Sequence, residues 1–294
     1  MIADVLIRSL KLDGNSVDFI MNLTDVGHLT GDNLGDADTG EDRMEKSAKN
    51  EGKTAWEIAA FYTDAFLQDY DRLHLTQPRI FAKATEYIQE QIDLIETLEE
   101  KGYTYSTSDG VYFDTAAFPD YGKLSNLDEI REGARVEVNP EKRNPRDFAL
   151  WKFSPVGEKR QMEWDSPWAK PDGSQSKGFP GWHIECSAMS MKFLGDTIDI
   201  HTGGIDLRET HHPNEIAQSE AASGKPFVKS WAHSAFMLVD GQKMSKSLGN
   251  VYRLYDLEKE GFVPLALRYL YMQTHYRQEM NFTFRAFTKR TTHP

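Results

Sequence analysis

The apolar positions change period along the chain, and those changes outline its elements. Val5, Leu6, Ile7 and Leu10 gather on one side of a helix predicted over about Ile2–Leu12, which Gly14 ends. The β-prone run Val17–Met21 predicts a buried strand leading into Asn22-Leu23-Thr24-Asp25. Residues 31–53 are rich in Gly, Asp and Lys without an apolar period, which predicts an exposed loop. Trp56, Ala59, Phe66, Tyr70 and Leu73 recur near whole helical turns and predict an amphipathic helix. Phe81, Ala84, Ile88, Ile95 and Leu98 predict a second one after the break at Pro78.

From Tyr103 to about Trp168 the texture shifts to short β-prone pieces (Tyr103–Ser106, Val111–Phe113, Arg135–Val138) between Gly, Pro, Asp and Asn turns. This predicts a small β-rich module inserted between two halves of an α/β domain. The second half is read as a helix around Ile184–Phe193, a strand at Thr197–His201, a helix from about His212 to Ala222 and a strand near Ala235–Val239. Helical texture is expected from Leu254 to the end. The domain division expected is 1–102, 103–168, 169–252 and 253–294. An α/β nucleotide-binding half ordinarily opens with a strand whose following turn binds phosphate. Here a helix comes first, so either the fold begins with a helix or a segment carrying that strand lies upstream.

A chain of 294 residues with 39% hydrophobic and 12% aromatic content is expected to fold around a full core. No apolar run approaches membrane-spanning length, so no membrane partner is expected. Asp4, Arg8, Lys11 and Asp13 interrupt the N-terminal stretch, unlike a signal or transit peptide. The single cysteine, Cys186, excludes an intramolecular disulfide and fits a reducing compartment, so a cytoplasmic location is expected. Net charge is −12, from 46 acidic and 34 basic residues, so any contact with nucleic acid must be a local patch.

Several short segments carry candidate chemistry. In Lys243-Met244-Ser245-Lys246-Ser247, two lysines on small and flexible neighbours can swing onto a polyphosphate as charge builds on a leaving pyrophosphate. The same run would also suit a solvated surface loop. His211 and Glu215 stand four apart, on one helical face, and with Cys186 they offer imidazole, carboxylate and thiolate to one ion. That donor mixture suits Zn2+ better than Mg2+ or Ca2+. The alternative is a buried apolar cysteine beside an ordinary His–Glu hydrogen bond. Gly203-Gly204-Ile205-Asp206 follows a strand, where glycines let backbone approach a ligand and a carboxylate can accept from ribose hydroxyls. A plain loop carries the same residues.

These segments, in the order Trp182-His183-Ile184-Glu185-Cys186, Asp199–Leu207, His211-His212-Pro213-Asn214-Glu215 and Lys243–Ser247, resemble the catalytic domain of the cysteinyl-tRNA synthetases, class I enzymes. Asn22–Val26, Tyr121–Ser125, Asp147–Lys152 and Trp164–Trp168 extend the resemblance over almost the whole chain. It implies a Rossmann-like nucleotide-binding domain of class I type, with the inserted β-rich module and the start of a C-terminal helical stem. It implies activation of cysteine with Mg2+·ATP and transfer to tRNA(Cys), by a monomer. The resemblance puts zinc on Cys186, His211 and Glu215. Trp182 and Thr24 would hold the substrate, and His201 would assist thiol deprotonation. Gly203, Gly204 and Asp206 would lie along the nucleoside, with Asp206 on the ribose and Thr202 replacing a glycine frequent in the family. Lys243 and Lys246 would grip the phosphates. In the family a fourth zinc ligand, a cysteine, comes from an N-terminal segment that also carries the His-Ile-Gly-His signature; an anticodon-recognising helical domain follows the catalytic one. Without those pieces, residues 1–294 are expected to show little or no adenylation. The alternatives are a cysteine-activating ligase of the mycothiol pathway, with an amino-sugar acceptor, and an inactive truncated zinc-binding paralogue.

Overall fold

A computed structural model describes residues 1–26, 42–125, 139–155, 157, 160–245 and 248–284. The first helix, α1 (Ile2–Leu12), falls where the apolar spacing put it, and Gly14 follows at φ 86°. β1 is Ile20–Leu23, a few residues beyond the expected start. Next come α2 (Arg43–Glu51), α3 (Ala55–Arg72), β2 (Ile80–Lys83) and α4 (Ile88–Glu100). The middle of the chain supplies β3 (Thr104–Thr107), β4 (Gly110–Phe113), β5 (Phe148–Phe153), β6 (Trp164–Ala169) and β7 (Gln175–Pro180). The remainder is α5 (Ile184–Leu194), β8 (Ile198–Gly204), α6 (His211–Ser223), β9 (Val228–Ser234), β10 (Met237–Val239), β11 (Gln242–Lys243), α7 (Leu254–Lys259), α8 (Pro264–Met272) and β12 (Met280–Phe282).

Three expectations are corrected. The tract 31–53 contains α2: Asp42 caps its start by accepting from the Met44 and Glu45 amides, and Gly52 closes it at φ 63°. Ala48 buries fully beside Met162, and Asp42 pairs with buried Arg160, so contacts from over a hundred residues away fix this polar helix. The helix expected from Phe81 divides, because Phe81 lies on β2, Ala84 in a short 3-10 turn, and α4 begins at Ile88. β2 runs parallel to β1 in the register Ile20↔Ile80, and this pairing overrides the apparent helical spacing. At the C-terminal end β12 interrupts the helical texture by pairing in parallel with β10, Met237 opposite Met280. Residues 285–294 and the strand expected at Arg135–Val138 lie outside the described residues.

Two parallel pairs, β1–β2 and β8–β9, form the α/β frame, with α4, α5 and α6 packed together behind them. Between α1, β1 and β8 lies a cavity of about 570 Å³ lined by Leu6, Ile7, Ile20, Asn22, Ile200 and His201. The β-rich stretch is a five-stranded antiparallel sheet ordered β3-β4-β5-β7-β6, and because β7 pairs with both β5 and β6 it runs to Pro180. The line expected at residue 168 therefore falls inside a hairpin. Its core joins that of the α/β frame, since Trp151, Leu150 and Phe148 pack in one cluster with Ile95, Ile184 and Ala217. β7 pairs at Pro180 with Trp151 of β5, which shares this core with Ile184 of α5, where the candidate site begins.

Candidate functional site

β7 ends at Pro180, and the chain turns through Trp182 and His183 into α5. His183 caps α5 at φ 95°, a conformation rare for any residue with a Cβ. Its ring is fixed from several sides: stacked on Trp182 at 4.5 Å, edge-on to Phe148 at 5.9 Å, and hydrogen-bonded Nδ1 to His211 Nδ1 at 2.6 Å. This strained entry aims the first turn of α5, which carries Cys186, at the start of α6, which carries His211 and, one turn later, Glu215.

Cys186 Sγ, a His211 ring nitrogen and a Glu215 oxygen lie within 4.8 Å of one another, all on buried residues. His211 Nε2 is 3.0 Å from Glu215 Oε1, the helical i, i+4 contact that the spacing required. Asn22, at the end of β1, donates to Cys186 Sγ at 2.8 Å. The structure thus unites the three residues proposed as ligands from sequence, and Trp182 stands beside them with its ring 5.3 Å from that of His211.

His201 reaches the same carboxylate from β8, with Nε2 3.0 Å from Oε2 and 3.2 Å from Oε1. His212, a single position beyond His211, points Nε2 toward Glu215 Oε1 at 3.9 Å and bonds through Nδ1 to His233 Nε2 at 2.7 Å. Trp231 packs on both His201 and His212, with ring centroids at 5.0 and 4.6 Å. Sequence reasoning missed this second tier of His212, Trp231 and His233, together with Asn22. Trp231 and His233 stand two apart, the spacing that puts side chains on one face of a strand, but they lay in a stretch left unassigned.

The charges follow from this packing. Burial alone would raise the Glu215 carboxyl, yet His201 and His211 outweigh it and hold the group well below the ordinary carboxylate range. Burial lowers His212 to about 3, beyond what Glu215 restores, with His201, His211 and His233 adding to the effect. For His201 the order reverses: burial lowers its pKa, and Glu215 raises it further than that. Burial, then Glu215 and Glu185, push the Cys186 thiol well up, and only the Asn22 hydrogen bond opposes them.

Gly203 and Gly204 end β8, and close packing is their visible role. A Cβ on Gly203 would come within 2.6 Å of His212 Cε1, and one on Gly204 within 2.2 Å of Asp206 Oδ1. Glycine at these positions lets His212 and the Asp206 carboxylate lie on the strand's backbone. Thr24 is exposed on the segment leaving β1, two residues beyond Asn22. Lys243 stands on the β10–β11 hairpin, whose turn uses Asp240 and Gly241 at φ 48° and 76°. Its ammonium lies 5.8 Å from the Phe236 ring. Asn250 clasps the following loop, donating to the Lys243 carbonyl at 3.1 Å and accepting from the Ser245 amide at 2.8 Å. Lys246 lies outside the described residues.

A thiol, an imidazole and a carboxylate converging behind a strained helix start invite comparison with known proteins. Residues 1–292 match the family of tRNA synthetases class I (C) catalytic domains. The chain belongs to this family. It is 48% identical over 285 residues to a cysteine–tRNA ligase of Treponema denticola, covering 96% of this chain and 56% of that protein. Cysteine–tRNA ligase 1 of Burkholderia lata is 50% identical over 284 residues, 96% of this chain and 58% of that protein. The chain therefore spans little more than half the length of these relatives. Among solved structures, a Mycobacterium tuberculosis methionyl-tRNA synthetase in complex with methionyl-adenylate superposes with a TM-score of 0.69 at 14% identity, over 98% of this chain and 62% of that one. That likeness establishes the class I synthetase fold. Among the described residues, no helix is long and apolar enough to cross a membrane.

Proposed function

We propose that this chain is the cysteine-activating catalytic region of a cysteine–tRNA ligase, which joins cysteine to ATP as cysteinyl-adenylate and passes it to tRNA(Cys). The observation that carries the proposal is the buried convergence of Cys186, His211 and Glu215 in a chain of this synthetase family. The donor set fits zinc: one soft sulfur, one imidazole and one carboxylate, with the His211 ring oriented through its other nitrogen by His183. A zinc ion held by Cys186, His211 and Glu215 would supply a thiophilic Lewis acid, favouring a substrate thiol over the hydroxyl of serine more strongly than an apolar pocket does. Asn22 and His201, both touching the donor set, also line the cavity of about 570 Å³, so a ligand can reach it from that side.

The protein's own groups then divide the work. Trp182 walls the amino-acid pocket, and Thr24 meets the substrate from the end of β1. His201, held against the Glu215 carboxylate, accepts the thiol proton. Gly203, Gly204 and Asp206 receive the nucleoside, the carboxylate taking the ribose hydroxyls. Lys243 and Lys246 draw the phosphates into line and neutralise charge on the departing pyrophosphate, with Mg2+ arriving on ATP. These residues mainly position the reactants and stabilise charge.

Cysteine-dependent pyrophosphate exchange in the complete enzyme tests the assignment. Lys246→Ala is expected to slow exchange while leaving zinc content unchanged, and equal rates would remove Lys246 from the phosphate site. Cys186→Ser is expected to lower zinc content and discrimination against serine together. Unchanged zinc content in that variant would refute the ligand set.

A further inference from the structure

The strands and helices that follow β9 pack around a core of their own. Val239 of β10, Leu257 of α7, Leu270 of α8 and Phe282 of β12 form it, and Met244, next to Lys243, packs against it. Among the described residues, that cluster contains none before Met237. Lys243 belongs to this module through strand pairing: it lies opposite Leu238 of β10, which lies opposite Asn281 of β12. Arginines tie the module to the α/β frame. Arg268 of α8 donates from Nη1 to the Leu73 and His74 carbonyls at 3.0 and 2.6 Å, and from Nη2 to the Asp4 carboxylate of α1. We infer that Arg268 is a positioning residue for the transfer at the phosphates, a fork that locks the module carrying Lys243 onto α1 and the end of α3. The inference rests on the assignment of Lys243 to the phosphates.

The frame side of this contact is built for a cation. Leu73 caps the C-terminus of α3, where backbone carbonyls lack helical donors and the helix dipole is negative. His74 follows at φ 49°, a left-handed conformation unfavourable for a residue with a Cβ, and its carbonyl also accepts from Arg8 Nη2 at 2.8 Å. Asp4 is buried and held still by the Thr76 amide at 2.7 Å, the Thr76 hydroxyl at 2.6 Å and Arg8 Nε at 3.1 Å. One planar guanidinium thus reaches three acceptors from two parts of the frame. A lysine ammonium, a point charge on a flexible stem, cannot span them at fixed geometry. The other tie, Arg72 to Glu258 of α7, is more open to solvent, with the arginine 40% exposed against 15% for Arg268, so it holds less firmly. Bodies joined by a small polar surface move relative to one another unless something fixes them. Where Lys243 stands over the frame therefore depends on the fork.

Cysteine-dependent pyrophosphate exchange by the complete enzyme tests the fork. Arg268→Gln is expected to lower kcat about 10–100-fold, the scale of a misplacement near 1 Å, while zinc content and the KM for cysteine stay unchanged. Arg268→Lys keeps the charge without the fork, and its kcat is expected to fall between that of Arg268→Gln and wild type. In a Lys243→Ala background, Arg268→Gln is expected to remove little further rate, because both changes act through the same ammonium. A wild-type kcat in zinc-loaded Arg268→Gln overturns the inference, as do losses that multiply in full in the double variant. Should Arg268→Gln lose its zinc or fail to fold, Arg268→Lys decides: a lowered kcat at unchanged KM for cysteine upholds the fork, and a wild-type kcat overturns it. Lys243→Ala alone separates the two failures. If that variant exchanges at the wild-type rate, the phosphate assignment fails and the inference falls with it; if it is slow while Arg268→Gln is not, the fork alone fails.

Discussion

The sheet that delivers Trp182 and His183 to the site depends on one buried carboxylate. Asp147 is 1% exposed and accepts four hydrogen bonds. One oxygen takes the Thr115 amide at 2.9 Å and its hydroxyl at 2.7 Å; the other takes the Tyr105 hydroxyl at 2.8 Å and the Asn144 amide at 2.9 Å. Asp147→Asn keeps the shape and one accepting oxygen, but turns an NH2 toward the second pair of donors. The Tyr105 hydroxyl, which already accepts from the Arg143 amide, can rotate, yet its hydrogen then loses its acceptor. The Asn144 amide has no such freedom. Two donors left without partners, at about 1–3 kcal/mol each, give an expected loss of about 2–6 kcal/mol. Against a total stability of about 5–15 kcal/mol that is a large fraction. Urea unfolding followed by tryptophan fluorescence measures it, Trp151 being buried on the neighbouring strand. With a denaturant slope of about 3 kcal/mol/M, the midpoint should fall by about 0.7–2 M. A loss below about 1 kcal/mol at unchanged slope would refute the hydrogen-bond reasoning.

Other measurements probe the rest of the frame. At Asp4, burial raises the carboxyl pKa, but hydrogen bonds from Thr76 and Arg8 and the charge of Arg268 bring the net value below the ordinary 3.8. A lowered native pKa means that its stabilisation is present above the unfolded value of about 3.9 and is lost as pH falls through the native value. The stability gap between wild type and Asp4→Asn should therefore be full at neutral pH and shrink as pH drops below about 4; an equal gap at both ends would remove the linkage. Gly178→Ala would put a Cβ 2.1 Å from Trp151 Nε1 and 2.5 Å from the Lys152 carbonyl oxygen, so a loss of about 1–3 kcal/mol is expected in the same urea assay. A neutral result would mean that β5 and β7 can separate freely. Gly203→Ala would put a Cβ 2.6 Å from His212 Cε1, so a loss of about 1–3 kcal/mol is expected in the same assay; an unchanged midpoint would contradict that close packing.

Much of the molecule was legible because its signals are local. Helical spacing marks α1, α5 and α6, whose apolar or motif residues lie within a few turns of one another. The His211–Glu215 contact is a property of the helix alone, and the chemistry of thiol, imidazole and carboxylate follows from residue type. The motifs in order identified the family that the comparison of residues 1–292 confirmed. Tertiary structure decided the rest, through partners distant in sequence. Phe81 becomes a strand residue because β1, some sixty residues upstream, offers a parallel edge. The polar helix α2 is held by Asp42 on Arg160 and by Ala48 against Met162, neither visible in its own composition. In the same way, only the fold could place Asn22 of β1 on the Cys186 sulfur and His233 of β9 on His212, since each contact joins separate elements. Sequence alone determined which donors the site would offer. Which groups orient those donors, and that Glu215 faces two sets of them, was settled by backbone pairing and burial across the whole chain, because hydrogen bonds and packing act over distance in space and carry no local period.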